Sequence, residues 1–423
     1  MRTLFVVVGV VIAGCSSDTP SDDPALPDVG DSRPARQLSA EIKGDAASIA
    51  AANNRFAFDL YGQLASEPGN LFFSPFSIST ALAMIDAGAA GVTDQELRAA
   101  LHFTLPGERT HAAYGALLAS LQIGRDRGAY TLATANRLFG QDGYPFLPSF
   151  VTLTQRDYGA PLMPVDFANH TEDARATINT WVAEQTAQKI PELFESGQID
   201  ADTVLALANA IVFKGTWADK FDASRTSDAS FHLADGTTVQ ARTMHRTGAL
   251  TQRRLDDVAW VGILPFGGHD LSMAIVLPNE VDGLAAVEAQ LGSVGITELL
   301  GDGGSTKGSP EMLEVAVPKF SIASNYKLPP VLESLGIVTA FQDATADFSA
   351  IDGSADLVLG NVVHKAVIAI DEDGAEAAAA TGGEAQPTSV PAPFIVDRPF
   401  MFLIYDHVTG SILFLGRVVD PRT

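Results

Sequence analysis

The segment from Glu372 to Pro393 limits the possible folds of this chain more than any other. It reads Glu-Asp-Gly-Ala-Glu-Ala-Ala-Ala-Ala-Thr and then Gly-Gly-Glu-Ala-Gln-Pro-Thr-Ser-Val-Pro-Ala-Pro, with almost no side-chain bulk. A β-branched apolar run, Val362 to Ile370, precedes it, and a second apolar run, Phe394 to Tyr405, follows. Both flanks read as strands. A structureless stretch of about 20 residues inside a compact domain is uncommon, and where it occurs it is disordered or has a function that needs its freedom.

Composition narrows the partners. With 27 Lys and Arg against 51 Asp and Glu, the net charge is −24, which argues against nucleic acid and anionic lipid headgroups. An apolar content of 46% over 423 residues supports a large core. Length alone suggests two or three domains, but the motifs below argue for one.

The N-terminus reads as a targeting segment. Arg2 is followed by the apolar run Leu4 to Ile12 and by Ala13-Gly14-Cys15. A bilayer-spanning helix needs about 20 apolar residues, so this run is too short to span and suits the apolar region of a signal peptide over residues 1–14. Ile12-Ala13-Gly14-Cys15 resembles the bacterial lipobox, in which cleavage leaves a lipidated Cys15 as the first residue. Cys15 is the only cysteine, so no disulfide framework exists. Residues 15–40, rich in Ser, Asp and Pro, then read as a disordered tether, with the folded body over 41–423. The expected location is the bacterial cell envelope, outer membrane or cell surface, with membrane contact only through the lipid. A secreted form is the alternative.

Within the body, Ile49, Phe56, Leu60 and Leu64 recur at helical spacing over Ala46 to Leu64, a second helix starts near Ser77, and a third covers Thr177 to Ile190. Strands are expected at Thr131 to Phe139, Val204 to Phe213, Ala259 to Pro265, Ser272 to Leu277, Met312 to Phe320, Val362 to Ile370, Phe394 to Tyr405 and Ser411 to Val418. Helices dominate the first half and strands the second, an α+β pattern.

Enzyme signatures are missing: no Gly-x-Ser-x-Gly, His-Glu-x-x-His, Walker loop or Gly-x-Gly-x-x-Gly occurs. No two of the eight histidines lie within five residues, which leaves no local metal-ligand pair. Gly301-Asp302-Gly303-Gly304 reads as a turn, and His269, after Gly267-Gly268, as a hairpin residue. Arg242, His245, Arg246, Arg253 and Arg254 form a thin basic cluster that reads as solvated surface. The expectation is a protein that is not an enzyme and has no cofactor.

Seven motifs then occur in order: Asn70-Leu71-Phe72-Phe73-Ser74-Pro75-Phe76-Ser77-Ile78-Ser79; Ile178-Asn179-Thr180-Trp181-Val182 with Lys189-Ile190; Asn209-Ala210-Ile211-Val212-Phe213-Lys214-Gly215-Thr216-Trp217; Val317-Pro318-Lys319-Phe320; Ala346-Asp347-Phe348-Ser349; His364-Lys365-Ala366-Val367; and Arg398-Pro399-Phe400. Through them the chain resembles a serpin over Ala51 to Pro421. The resemblance implies one domain with three β-sheets, eight or nine helices and an exposed reactive-centre loop at about 372–393. It also implies a monomer whose partner is a target serine or cysteine protease.

In that resemblance Glu372 opens the hinge, Gly374 supplies a bend, and Ala375 to Thr381 pass between strands once the loop is cut, an instance of strand addition for which serpins are well known. Side chains alternate along a strand, so Ala375, Ala377, Ala379 and Thr381 would face the core while Glu376, Ala378 and Ala380 face out. A charge buried unpaired costs several kcal/mol, and Glu376 falls on the outward set. Each new ladder hydrogen bond contributes about 0.5–1.5 kcal/mol, so the uncut fold is expected to be metastable. The family favours Thr or Ser where this chain has Ala375. The 14 residues from Ala375 to Thr388 would form about 45 Å of strand.

The family's 17-residue spacing from Glu372 places the cleaved bond between Thr388 and Ser389. Between Gly374 and Pro393 there is no Lys, Arg, Leu, Met or aromatic residue. A trypsin-like or chymotrypsin-like primary pocket therefore has nothing to hold, whereas an elastase-like or subtilisin-like enzyme with a small pocket can take Thr388. Val390 and Ala385 are second choices, and Glu384 leaves a glutamate-specific target open. Ser74, Ser77, Asn209 and His364 match the family's shutter, where the central sheet parts. The second reading is a non-inhibitory binding or structural lipoprotein of the same fold.

Overall fold

Strands that are largely unbroken apolar runs build two large sheets, and helices pack against them. The computed structural model describes residues 2–12, 40–126, 130–291, 299, 311–374 and 393–422. Nine α-helices occur among them: α1 (Ala40–Leu64), α2 (Pro75–Asp86), α3 (Gly91–Ala100), α4 (Gly107–Asp126), α5 (Pro148–Tyr158), α6 (Thr171–Gln185), α7 (Leu284–Leu291), α8 (Pro329–Ser334) and α9 (Ser349–Asp352).

The strands in the first half are β1 (Arg2–Ile12), β2 (Leu71–Phe73), β3 (Thr131–Gln141), β4 (Leu162–Val165) and β5 (Thr203–Lys214). Next come β6 (Ser227–His232), β7 (Thr238–Leu255), β8 (Ala259–Pro265), β9 (Leu271–Pro278), β10 (Glu311–Pro318) and β11 (Phe320–Lys327). The last are β12 (Leu357–Ile370), β13 (Phe394–Ile395), β14 (Phe400–Asp406) and β15 (Ile412–Val418).

One sheet has the order β11-β12-β1-β5-β3-β4, the other β13-β10-β7-β8-β9-β14-β15-β2, with β6 paired to β7. The three expected sheets are joined here, because β7 belongs to both the second and the third. Its first part pairs with β6, its middle with β10 and its last residues with β8.

The apolar run read as an export leader is β1, in the middle of the six-stranded sheet. It pairs in parallel with β12 from Arg2 to Val11 and in parallel with β5 from Thr3 to Ile12. The physical reason lies in its composition. Val-rich residues favour extended backbone, and a strand covered on both faces reads as a continuous apolar run. Leu4, Val6, Val8 and Val10 belong to the main core; Phe5, Val7 and Val11 belong to a second core with Ile178, Val182, Ile190 and Phe194. Full burial of each such side chain contributes about 1.5–3 kcal/mol.

α2 is held at its start by Ser74, whose side chain accepts from the Ser77 N–H, and by Pro75 in the first turn. All its residues are buried, and it packs against β1 and β5 of the six-stranded sheet. The run from Phe394 to Tyr405 is two strands rather than one. Val396, Asp397, Arg398 and Pro399 separate them, and Pro399 has no N–H for a ladder. The predicted helix to Ile190 stops at Gln185, before Ala187 and Gln188, whose φ angles are 46° and 61°. β10 ends at Pro318, so the predicted strand to Phe320 divides there into β10 and β11.

Candidate functional site at the parting of the central sheet

β12 delivers the chain to Asp371–Gly374 at one pole of the sheet, where the segment Thr216–Phe221 clamps it. The Trp217 N–H donates to the Asp373 carbonyl (2.9 Å), the Phe221 N–H to the Glu372 carbonyl (3.0 Å), and the Trp217 indole Nε1–H to the Asp371 carbonyl (2.9 Å). The indole itself stacks on Phe266 at 4.6 Å. Gly374 has φ 112°, and a Cβ there would strike the Gly215 carbonyl oxygen and sit 2.7 Å from the Trp217 nitrogen. Only glycine meets both demands.

The Glu372 side chain is paired rather than free. Its carboxylate accepts from Lys319 Nζ (2.7 Å) and from the Thr226 hydroxyl (2.7 Å). Burial alone would raise this carboxyl, but Lys319 and Thr226 overcome that and hold it below the usual glutamate value. Lys220 adds a 3.3 Å contact to Asp373. The pole is thus closed by charge and by backbone bonds.

Ser74, Ser77, Asn209 and His364, the residues expected at the shutter, gather around the Val8 level of the six-stranded sheet. The Ser74 N–H donates to His364 Nε2 (3.1 Å) and its hydroxyl to the Leu413 carbonyl (2.7 Å), while the Ser77 hydroxyl donates to Asn209 Oδ1. Asn209 Nδ2 donates in turn to Asn136 Oδ1 (2.5 Å), and Asn136 to the Tyr158 carbonyl (2.9 Å). The chain of bonds does not run directly from Asn209 to His364. Val8 stands between them, in register with Asn209 on one side and His364 on the other. Burial pushes the His364 imidazole down to about 3, with the Val8 backbone pulling the other way. His364 is therefore neutral at physiological pH, as its acceptance of the Ser74 N–H requires.

Cys15, Ala375, Glu376, Ala377, Ala378, Ala379, Ala380, Thr381, Thr388 and Ser389 fall outside the described residues, as does Gly301-Asp302-Gly303-Gly304. His269 sits in the β8–β9 hairpin with φ 58°, as the sequence suggests. The basic cluster needs a correction. Arg246 is only 4% exposed, lying over the Phe221 ring and 3.5 Å from Asp219, so it is part of the pole's packing and not solvated surface. Arg242 and Arg254 pair with Asp228 and Asp257. Sequence reading did not single out Asn136, Thr226 or Lys220, which carry no motif of their own. Lys319 and Trp217 stood inside quoted motifs, but their service to the hinge needed the fold.

The pole is closed around the chain leaving β12, and the six-stranded sheet holds β1, a strand remote in sequence, between β5 and β12. A model of the serpin (serine protease inhibitor) family matches residues 51–421, and the chain belongs to that family. The leukocyte elastase inhibitor of Bos taurus is 42% identical over 384 residues, covering 88% of this chain and 99% of the relative. The crystal structure of Serpin48 from the insect Tenebrio molitor, described as a highly specific serpin, superposes with a TM-score of 0.75 at 35% identity, covering 88% of this chain and 98% of that one. Human thyroxine-binding globulin, solved as a hormone complex, superposes with a TM-score of 0.77 at 32% identity, covering 89% and 99%.

Proposed function

We propose that the protein is an inhibitory serpin directed at elastase-like serine proteases, with subtilisin-like enzymes as a second target class. The target cuts the loop between Thr388 and Ser389. It becomes esterified to Thr388 and is carried along as residues from Ala375 enter the sheet between β5 and β12. The small side chains of Ala375 to Thr381 carry this reading, because only such residues pass between paired strands without burying bulk or charge. The elastase inhibitors among the relatives support the target class. The thyroxine-binding globulin likeness means that the fold alone does not decide between inhibition and ligand carriage.

Mixing the processed protein, beginning at Cys15, with an elastase-type protease should give a detergent-resistant complex, and the peptide it releases should begin at Ser389. Release of intact, active protease would overturn the reading, as would a new N-terminus away from Ser389 and Pro391. Thr388→Arg should transfer inhibition to trypsin-like enzymes.

The mature form, on this proposal, begins at a lipidated Cys15 and is held at a bacterial cell envelope, acting as a monomer. The lipobox-like Ile12-Ala13-Gly14-Cys15 supports this, as does a family match that begins only at residue 51. Metabolic labelling with a radioactive fatty acid should mark the wild-type chain and not Cys15→Ala. Label in both would refute the anchor.

A further inference from the structure

We infer that the gap between β5 and β12 is a strand-acceptor site, and that in the unprocessed chain its occupant is the chain's own N-terminal segment Thr3–Ile12. This rests on the proposed inhibitory function, since it concerns the same gap that the cut loop would enter. While the segment is seated, a cut loop has no place to go, and the unprocessed chain is a protease substrate without being an inhibitor.

The seat is specific on both edges and on the face toward the second core. Along the β5 edge the register runs from Thr3↔Thr203 to Ile12↔Phe213, and along the β12 edge from Arg2↔Leu357 to Val11↔Val367. A backbone group bonded to β1 cannot also bond an incoming loop. Phe5 meets Phe194 edge-on at 6.4 Å on one face, and a Cβ on Gly9 would stand only 3.2 Å from Ile190 Cδ1 on that side. At the far pole β12 makes room for Thr3. The register slips between Leu4 and Val6 opposite Gly360, where any Cβ would strike the Thr3 methyl.

Polarity distinguishes this occupant from the loop. β1 runs parallel to both neighbours. A loop that leaves β12 and turns at Gly374 must enter antiparallel to β12. Parallel ladders are slightly weaker per residue, so the segment seals the gap with a pairing inferior to the one the loop would make. β1 also runs toward the hinge pole. Ile12 is in register with Phe213, two residues before Gly215, whose carbonyl backs Gly374. Removal of the leader ahead of Cys15 would thus detach the occupant at the end where the loop begins its entry.

The test uses the full chain, unprocessed, and two double variants, Val6→Asp/Val8→Asp on the main-core face and Val7→Asp/Val11→Asp on the opposite face. Hydrogen exchange on the unaltered chain should show Thr3–Ile12 protected about a hundredfold or more over an unstructured peptide. Exposed to an elastase-type protease, the unaltered chain should be cut and trap little enzyme. The Asp variants should trap about tenfold more. Free exchange of residues 3–12 would refute the inference and leave the inhibitor proposal standing. Efficient and equal trapping by the unaltered chain and both variants would do the same. If a folded Asp variant with an emptied gap traps no protease, the inhibitor proposal fails and takes this inference with it.

Discussion

The two sheets of this protein hold their strands by opposite means. In the nine-stranded sheet, β7, β8 and β9 follow one another as antiparallel hairpins, as do β14 and β15. Aromatic rings reinforce it, with Phe72 stacked 6.0 Å from both Phe402 and Phe414. In the six-stranded sheet the three central strands, β5, β1 and β12, lie far apart in sequence and are parallel to one another. No turn ties β1 to either neighbour. A sheet made of hairpins resists separation because each strand's partner is tethered nearby, whereas a sheet assembled from remote strands can exchange one of them without unravelling the chain. On the proposed function, one sheet is the frame and the other the moving part.

The largest effect should therefore come from the frame. Phe72→Ala removes a fully buried ring between two others and should cost about 3–5 kcal/mol, read by denaturant unfolding. A loss below about 1 kcal/mol would erase the contrast between the sheets.

Next comes the midpoint of the moving sheet. His364→Ala leaves the Ser74 N–H without its buried acceptor and should cost about 1–3 kcal/mol. An unchanged unfolding midpoint would remove His364 from the shutter. The pH profile sharpens the point. The folded imidazole sits at about 3 against an ordinary 6.5, so the unfolded chain takes the proton first. Stability attributable to His364 is whole above about 6.5 and falls as pH drops toward 3. The Ala variant should lack that slope.

At the pole, Trp217→Phe keeps the stack on Phe266 but loses the bond to the Asp371 carbonyl, at about 0.5–1.5 kcal/mol by thermal melt. The smallest effect is at Glu372. Lys319 is 37% exposed, so solvent screens the pair and Glu372→Gln should cost about 1 kcal/mol or less. The carboxyl is held below its ordinary 4.5, so its contribution is present above that pH and is lost in more acid solution. A melting difference between Glu372→Gln and the parent that persisted unchanged at pH 3 would assign the hinge contact to something other than charge.

Much of this was legible from residues in order. The strand Ala259–Pro265 stands as read, and β3, β5, β9 and β15 differ by a few residues at most, because strands covered on both faces, such as β5, β9 and β15, read as unbroken apolar runs. β6 and most of β7 were not legible. Their exposed and buried positions mix Ser, Thr, Gln and Arg, so a strand that crosses from one sheet into another leaves no clean alternation. Asn136 was equally silent, since an asparagine in a strand gains meaning only from the amide placed opposite it.

The sequence by itself determined the family, the loop with its small residues and Gly374 at the bend, because each depends on local residue type. The tertiary structure alone decided which strand fills the gap between β5 and β12. The run Leu4 to Ile12 meets the compositional needs of an export leader and of a doubly covered strand equally well, since both ask for an uninterrupted apolar stretch. Its place in the sheet depends on open edges contributed by residues some 200 and 355 positions further along the chain, a condition that no local pattern encodes.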